Sequence, residues 1–459
     1  MFFDVKIQNE NMDLSIYNGK KILILGLGRE GVDSLRFFLD NCPKNEIGIA
    51  DSSNMDNLSE PAKNLIAKNP DIKTFLGENY LLSLESYDVV VKTPGIPIHL
   101  PEIEQAYARG KITSQTEIFF NLCPGIIVGI TGTKGKSTTS SITCAILKRG
   151  GAKVQLLGNI GTPMLSYLDG ADKESIFVCE LSAHQLYNLK KSPHIAVILN
   201  IYQEHLDYYN NFREYIRSKA NIAIHQSKED CLIYDSGNLE VKSIASESLA
   251  RKIAFNEYSW NYAGKTKLIG KFNLENAKVG AIIGRIIGVG DNDINAAIAE
   301  FEPLDNRLEF IGNFFGIDCY NDSLSTIQES AVAAIQGLGD RVETLIAGGF
   351  DRGQPFEKLA EAVLKGKINT LILFPVTGQR IWREIEKKAL VLGENERLAQ
   401  IGHYFTDNMD KAVDLAIART GPGRICLLSA ASASFNGFKD YADRGDKFKQ
   451  SLAKINKPK

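Results

Sequence analysis

No apolar run in the chain approaches the roughly 20 residues that a membrane span needs. Nor does a basic stretch followed by an apolar one open it, so neither a transmembrane helix nor a secretory signal is expected. An excess of charge is also missing: 53 lysines and arginines stand against 55 aspartates and glutamates, for a net charge of -2. Nucleic-acid binders concentrate positive charge to release counterions, so a polyanion-binding role is excluded, although a local loop can still hold a small anion. Cysteine is sparse: Cys42, Cys123, Cys144, Cys179, Cys231, Cys319 and Cys426 are scattered, odd in number and never spaced as Cys-x-x-Cys. Several lie in apolar runs, where cysteine acts as a small hydrophobe, so reduced core thiols in a cytoplasmic protein are expected. Repeats and low-complexity tracts are absent too.

What remains is an ordinary globular composition, 44% hydrophobic and 24% charged, over 459 residues. That length suggests roughly three domains at about 150 residues each. Short β-rich runs alternate with helical patterns from end to end, as in α/β units with parallel sheets. The first block has strand candidates Lys21–Leu25, Glu46–Ala50 and Asp88–Lys92; the second has Ile126–Ile130, Ser175–Cys179 and Ile195–Asn200. The third has Thr344–Ala347, Thr370–Phe374 and Ile425–Leu428. Boundaries near 115 and 304 give expected domains 1–115, 116–304 and 305–459.

Four features carry chemistry. Gly26-Leu27-Gly28-Arg29-Glu30-Gly31 follows the first strand and opens an apolar helix, Val32–Leu39. Glycines there permit a tight turn and close approach of backbone to a diphosphate, and Asp51 ends the next strand, where a carboxylate can meet a nucleotide. Taken alone, this is a dinucleotide site or a glycine turn that merely packs helix on strand. The second feature is Thr131-Gly132-Thr133-Lys134-Gly135-Lys136-Ser137-Thr138-Thr139, between the strand Ile126–Ile130 and a helix ending at Gly150-Gly151. In such a phosphate loop backbone N–H groups cradle phosphates, Lys136 reaches the β/γ oxygens and Ser137 offers a hydroxyl to Mg²⁺. A strict loop has glycine where Ile130 stands.

Third, Glu180 and His205 lie just past two strands, where ligands bind in parallel sheets. With Ser137 they can converge on a divalent metal, though a lone histidine is more often an ordinary hydrogen-bonded residue. Fourth, Lys219 shares one helix face with Phe212, Tyr215, Ile216, Ile222 and Ala223. A lysine on an apolar stripe snorkels, pairs or loses its charge, and desolvation makes the neutral amine reactive. Without further context, snorkelling is the reading to prefer.

Together these pieces resemble the Mur ligase family, most closely its D-glutamate-adding (MurD-type) branch. The resemblance runs from Gly26 to Tyr441. Its further markers are Thr-Pro-Gly-Ile-Pro (93–97), Gly-Asn-Ile-Gly (158–161), Glu-Leu-Ser-Ala-His-Gln-Leu (180–186), Glu-His-Leu-Asp (204–207) and Asn-Leu-Glu-Asn (273–276). Asn-Arg-Leu-Glu (306–309), Asn-Asp-Ser (321–323), Gly-Gly-Phe-Asp-Arg-Gly (348–353) and Ser-Ala-Ala-Ser-Ala-Ser-Phe (429–435) continue it.

The resemblance implies a three-domain α/β fold: an N-terminal Rossmann-like domain, a central P-loop ATPase-like domain and a C-terminal Rossmann-like domain. It implies an ATP- and Mg²⁺-dependent ligase of peptidoglycan precursor synthesis, a cytoplasmic monomer without nucleic-acid or membrane partners. Such an enzyme adds glutamate to UDP-N-acetylmuramoyl-L-alanine through an acyl phosphate. Gly28, Asp51 and Thr93 would then hold the UDP moiety, and Asn159 the muramoyl group. ATP would fall to Gly132, Thr133, Lys134, Gly135, Lys136, Ser137 and Thr138, with Asn273, Asn276, Arg307 and Asp322. Ser137, Glu180, His205 and Lys219 would bind metal, Lys219 as the carbamate it forms with CO₂, which reverses the snorkelling reading. Thr326, Arg352, Ser434 and Tyr441 would form the amino-acid pocket. The chain departs from the family pattern at Tyr202, Phe272, Leu324 and Arg352. Leu324 and Arg352 stand where lysines are usual, as in a variant subgroup that includes ligases adding L-glutamate. The alternatives are an NAD-linked oxidoreductase, which leaves Lys136, Glu180, His205 and Lys219 without a role, and a noncatalytic nucleotide-binding module.

Overall fold

A computed structural model describes residues 13–204, 208–260, 262, 264–435 and 437–455. Among the described residues seventeen strands form three sheets. The first comprises β1 (Ile22–Leu25), β2 (Ile47–Asp51), β3 (Lys73–Leu76), β4 (Val89–Lys92) and β5 (Ile112–Thr113), in the order β3-β2-β1-β4-β5. The second comprises β6 (Ile126–Thr131), β7 (Val154–Gly158), β8 (Ile176–Glu180), β9 (Ile195–Ile198), β10 (Cys231–Tyr234) and β11 (Arg251–Ala254), in the order β11-β10-β9-β6-β8-β7. The third comprises β12 (Glu309–Phe314), β13 (Ile317–Asn321), β14 (Val342–Gly348), β15 (Thr370–Phe374), β16 (Gly402–Phe405) and β17 (Ile425–Leu428), in the order β12-β13-β17-β14-β15-β16.

Among these strands the pairings are parallel except β12 with β13. That hairpin departs from the expected parallel pattern. It turns through Phe315 (φ 55) and Gly316 (φ 84), two positive-φ residues whose twist suits a tight antiparallel turn. Central strands such as β1, β8, β9 and β15 are buried at every residue, which is why they read as continuous apolar runs. The exposed edge strand β3, Lys-Thr-Phe-Leu, carries no such run and is not evident in the sequence.

The chain folds into two compact units, one within Met1–Ala263 and Asn276–Ile298, the other within Gly264–Glu275 and Ala299–Lys459. In the first unit the two sheets share a continuous apolar cluster that includes Phe38, Phe119 and Phe177; the last two rings meet edge-on at 5.2 Å. All seven cysteines are free, and all but Cys123 are buried. Among the described residues no helix is long and apolar enough to cross a membrane.

Candidate active site

β6 delivers the second glycine loop beside β9, where the order of the sheet reverses and ligands of open α/β sheets bind. Gly132 and Gly135 have φ of +157 and +89, and a Cβ on Gly135 would stand 2.7 Å from Asn276 Oδ1. Only glycine fits this bend, which aims the start of the helix Lys136–Arg149 along the loop. Asn200, given no role by the sequence reading, clamps it. Its carbonyl accepts from Thr133 N–H at 2.8 Å, its Oδ1 from Lys134 N–H at 2.8 Å, and its Nδ2 donates to Lys134 O at 3.0 Å. Its signal was available: a polar residue just past a parallel strand. Lys136 Nζ lies over the loop, donating to Gly132 O (2.9 Å) and Thr133 O (3.1 Å). Ser137 and Thr138 are buried in the first helical turn, and Thr139 Oγ1 donates to Asn276 Oδ1 at 3.1 Å.

Lys219 reaches the same loop from the helix Phe212–Ala220, which Asn211 caps by accepting from Glu214 N–H at 3.0 Å. It does not snorkel: the side chain is 1% exposed. Its Nζ donates to Gly132 O at 3.0 Å and Thr131 Oγ1 at 3.3 Å, and stands 5.0 Å from the Tyr215 ring centre. Two amines therefore share the Gly132 carbonyl. Burial, reinforced by the Lys136 charge, holds the Lys219 pKa well below the ordinary lysine value against the pull of Glu204 and Glu180. Desolvation of this kind favours the neutral, nucleophilic form of an amine over the charged one.

Glu180 ends β8 opposite Ile130, one residue before Thr131. Its Oε1 accepts from Asn159 Nδ2 at 2.8 Å, while its buried Oε2 has no hydrogen-bond partner among the described residues. A buried carboxylate oxygen with free lone pairs beside a phosphate loop suits a hard cation. His205 lies outside the described residues. Among the described residues no three His, Cys, Asp or Glu side chains form a metal cage.

The first glycine loop is built differently. Asp51 accepts from Leu27 N–H (2.6 Å) and Ser53 N–H (2.8 Å), so its carboxylate shapes the turn itself. Thr93 Oγ1 donates to Leu25 O at 3.1 Å. A Cβ on Gly31 would overlap the Gly26 carbonyl, whereas one on exposed Gly28 would meet nothing within 4 Å. Gly31→Ala should therefore lower stability by about 1–3 kcal/mol or more, and Gly28→Ala should stay within about 0.5 kcal/mol of wild type. Thermal unfolding of both variants checks this; equal midpoints would refute it.

Beside that loop sit residues the sequence reading did not single out. Glu30 accepts from Gln185 Nε2 at 2.7 Å, and burial pushes its pKa up to about 7. Burial likewise pushes Lys92 down to about 8, partly offset by Glu30. Arg29 donates to Asn159 O (3.1 Å) and Gly161 O (3.2 Å).

In the second unit, Asp322 leaves β13 with its carboxyl buried, accepting from Ser429 Oγ at 2.8 Å and Leu308 N–H at 3.3 Å. Burial pushes it up to about 7, and neighbouring half-buried Arg307 works against that rise. Arg444, also missed, is 1% exposed and donates to Ser323 O (2.6 Å), Ser323 Oγ (3.0 Å) and Ser432 O (3.1 Å). It ties the ends of β13 and β17 together, which no local sequence pattern announces. Ser323 Oγ also donates to Tyr441 O at 2.7 Å, placing Tyr441 at the start of the helix Tyr441–Ile455. Ser434 is buried, Thr326 half-buried, and exposed Arg352 lies 5.4 Å from the Phe435 ring centre. The Leu324 N–H donates to Asn306 O at 3.1 Å. Asn273 is buried and donates to Ile269 O at 2.9 Å.

Residues 20–113 match the model described as Mur ligase MurD-like, N-terminal domain, and 130–263 that of the Mur ligase middle domain. A UDP-N-acetylmuramoylalanine–D-glutamate ligase of Ruminiclostridium cellulolyticum is 31% identical over 94% of this chain and 96% of its own length. The enzyme of the same name from Clostridium acetobutylicum is 34% identical over 96% and 98%. Among solved structures, the MurF ligase of Thermotoga maritima in complex with ADP has a TM-score of 0.55 at 17% identity, covering 97% of this chain and 98% of that one. That last likeness concerns the fold.

Proposed function

The chain belongs to the Mur ligase family, and we propose that it is an ATP-dependent ligase joining glutamate to UDP-N-acetylmuramoyl-L-alanine in peptidoglycan precursor synthesis. The observation that carries this reading is the buried Lys219 amine, its pKa held down by desolvation, sharing the Gly132 carbonyl with Lys136. An amide ligase must bring a carboxylate to a phosphoryl group, anion to anion. Lys136, released from its two loop carbonyls, supplies the positive charge for that approach. Loop N–H groups from Gly132 to Thr138 orient the phosphates. Ser137, the free Glu180 oxygen, His205 and a carbamate on Lys219 would hold Mg²⁺, which when bound neutralises phosphate charge. The acyl phosphate that forms on the substrate is then attacked by the glutamate amine, releasing phosphate and leaving an amide.

Gly28, Asp51 and Thr93 are assigned to the UDP moiety, the last two by shaping the turn that presents Gly28, and Asn159 to the muramoyl group. Asn276 supports the start of the loop helix, and Asn273, Arg307 and Asp322 are assigned to nucleotide by the resemblance. The chain is taken to act as a cytoplasmic monomer, where ATP and the nucleotide-linked precursor are found. The deciding assay is phosphate release with UDP-N-acetylmuramoyl-L-alanine and either D- or L-glutamate. D-glutamate is the expected acceptor, as in the names of the relatives; ATP-dependent release with neither enantiomer would defeat the reading.

Arg352, with Thr326, Ser434 and Tyr441, is assigned to the glutamate carboxylates. Leu324 removes one cation usual in the family, so more of the recognition falls on the planar fork of Arg352. Arg352→Ala should raise the KM for glutamate roughly 10- to 150-fold, for a lost contact of about 1.5–3 kcal/mol, with little change in that for ATP. Arg352→Lys should recover only part. Equal changes in both constants would remove Arg352 from the pocket.

A further inference from the structure

Arg29 lies within the first glycine loop, yet it reaches the other sheet of the same unit. Its guanidinium donates to the carbonyls of Asn159 and Gly161. Those carbonyls belong to a tight loop after β7: Gly158 N–H donates to Thr162 O at 3.1 Å, and Gly158 and Gly161 have φ of +100 and +78. A Cβ on Gly158 would overlap the Glu180 carbonyl, and one on Gly161 the Leu156 carbonyl, so this turn requires glycine at both positions. Its product is Asn159, which bonds Glu180 twice, N–H to Glu180 O at 3.0 Å and Nδ2 to Oε1 at 2.8 Å. The Oε1 bond leaves Oε2 as the carboxylate oxygen without a partner among the described residues. An unbroken chain of hydrogen bonds thus leads from the first glycine loop to the carboxylate assigned to the metal.

We propose that Arg29 is a positioning residue that couples occupancy of the first glycine loop by a nucleoside diphosphate to cation affinity at Glu180. This rests on the assignments of UDP to that loop and of the cation to Glu180. A guanidinium has five N–H donors and two are spent on carbonyls, so the others can meet a diphosphate without releasing the loop. Anchoring Arg29 from the phosphate side restricts the Asn159 loop before the cation arrives, which makes the coupling positive. By linkage the effect is reciprocal. A lysine cannot span both carbonyls and a phosphate with a fixed planar fork.

The test needs no turnover. Mn²⁺ binding to the full chain is followed by electron paramagnetic resonance, with a non-hydrolysable ATP analogue present, with and without UDP. UDP lacks the muramoyl group, the part of the substrate assigned to Asn159. In wild type, UDP should tighten Mn²⁺ binding by about fivefold or more. In Arg29→Ala that factor should fall to near one while UDP and Mn²⁺ each still bind; Arg29→Lys should lie between. Arg29 is exposed, so the fold should persist, and the thermal midpoint verifies that. If both ligands bind wild type but independently, or if the coupling survives in Arg29→Ala, the inference fails alone. If wild type binds neither UDP nor Mn²⁺, the underlying site assignments fail with it.

Discussion

Lys136→Ala is expected to lower ATP-dependent ligation by on the order of 10²–10³-fold or more, with the fold preserved. The size of the loss follows from where the ammonium acts. Its charge matters most when a carboxylate and a phosphoryl group approach each other, and it counts little toward ground-state structure. The structure explains why the fold should survive. The loop is shaped by the positive-φ glycines 132 and 135, clamped by Asn200 and backed by the Thr139–Asn276 bond. Lys136 itself is half-buried and donates to two carbonyls of the loop. Phosphate release and the unfolding midpoint, measured on one preparation, check both halves. Near-normal ligation by a folded variant would exclude Lys136 from the chemistry.

Lys219→Met should separate stability from activity even more sharply. Ligation should fall by a comparable factor, because methionine cannot form a carbamate. Stability should hold or rise at neutral pH. The sign follows from linkage. The folded-state pKa of Lys219 lies below its unfolded value, so the unfolded chain binds the extra proton and wild type bears a penalty at neutral pH. That penalty shrinks as pH rises toward the ordinary lysine range, so wild type should gain on Lys219→Met there. Unfolding midpoints of both proteins across that range test the prediction. Lys219→Ala should lose activity similarly, and short-chain carboxylates should restore part of it by standing in for the carbamate. Full activity in either variant without rescue would remove Lys219 from the mechanism.

Features with a local physical cause were legible in the sequence. Fully buried parallel strands need continuous apolar runs, so β1, β8, β9 and β15 were found to within a residue or two. Sharp turns toward phosphates need glycine, so both loops were found. A helix repeats its faces every three to four residues, so Lys219 could be set among Tyr215, Ile222 and Ala223, all of them buried. The exposed edge strand β3 and the antiparallel β12–β13 hairpin were not legible, because half-solvated strands leave only a weak apolar signal.

Only the tertiary structure decided what these residues meet. Asp51 reads as a ligand-binding carboxylate from its place at a strand end; the fold adds that one oxygen accepts Leu27 N–H of the glycine loop and the other Ser53 N–H just past its own strand. Lys219 read most simply as a snorkelling side chain, yet it ends on the Gly132 carbonyl, far along the chain. Arg29 and Arg444 carried no signal, because they meet carbonyls and a hydroxyl as far as 132 and 121 residues away in sequence, and Asn200 showed its place past a strand but not its partner Lys134, 66 residues away. Local patterning determined the elements and the loops, since backbone conformation and burial act on near neighbours. Which amine is desolvated, which carboxylate oxygen stays free and which loops are tied together depends on packing between elements, and that exists only in the folded chain.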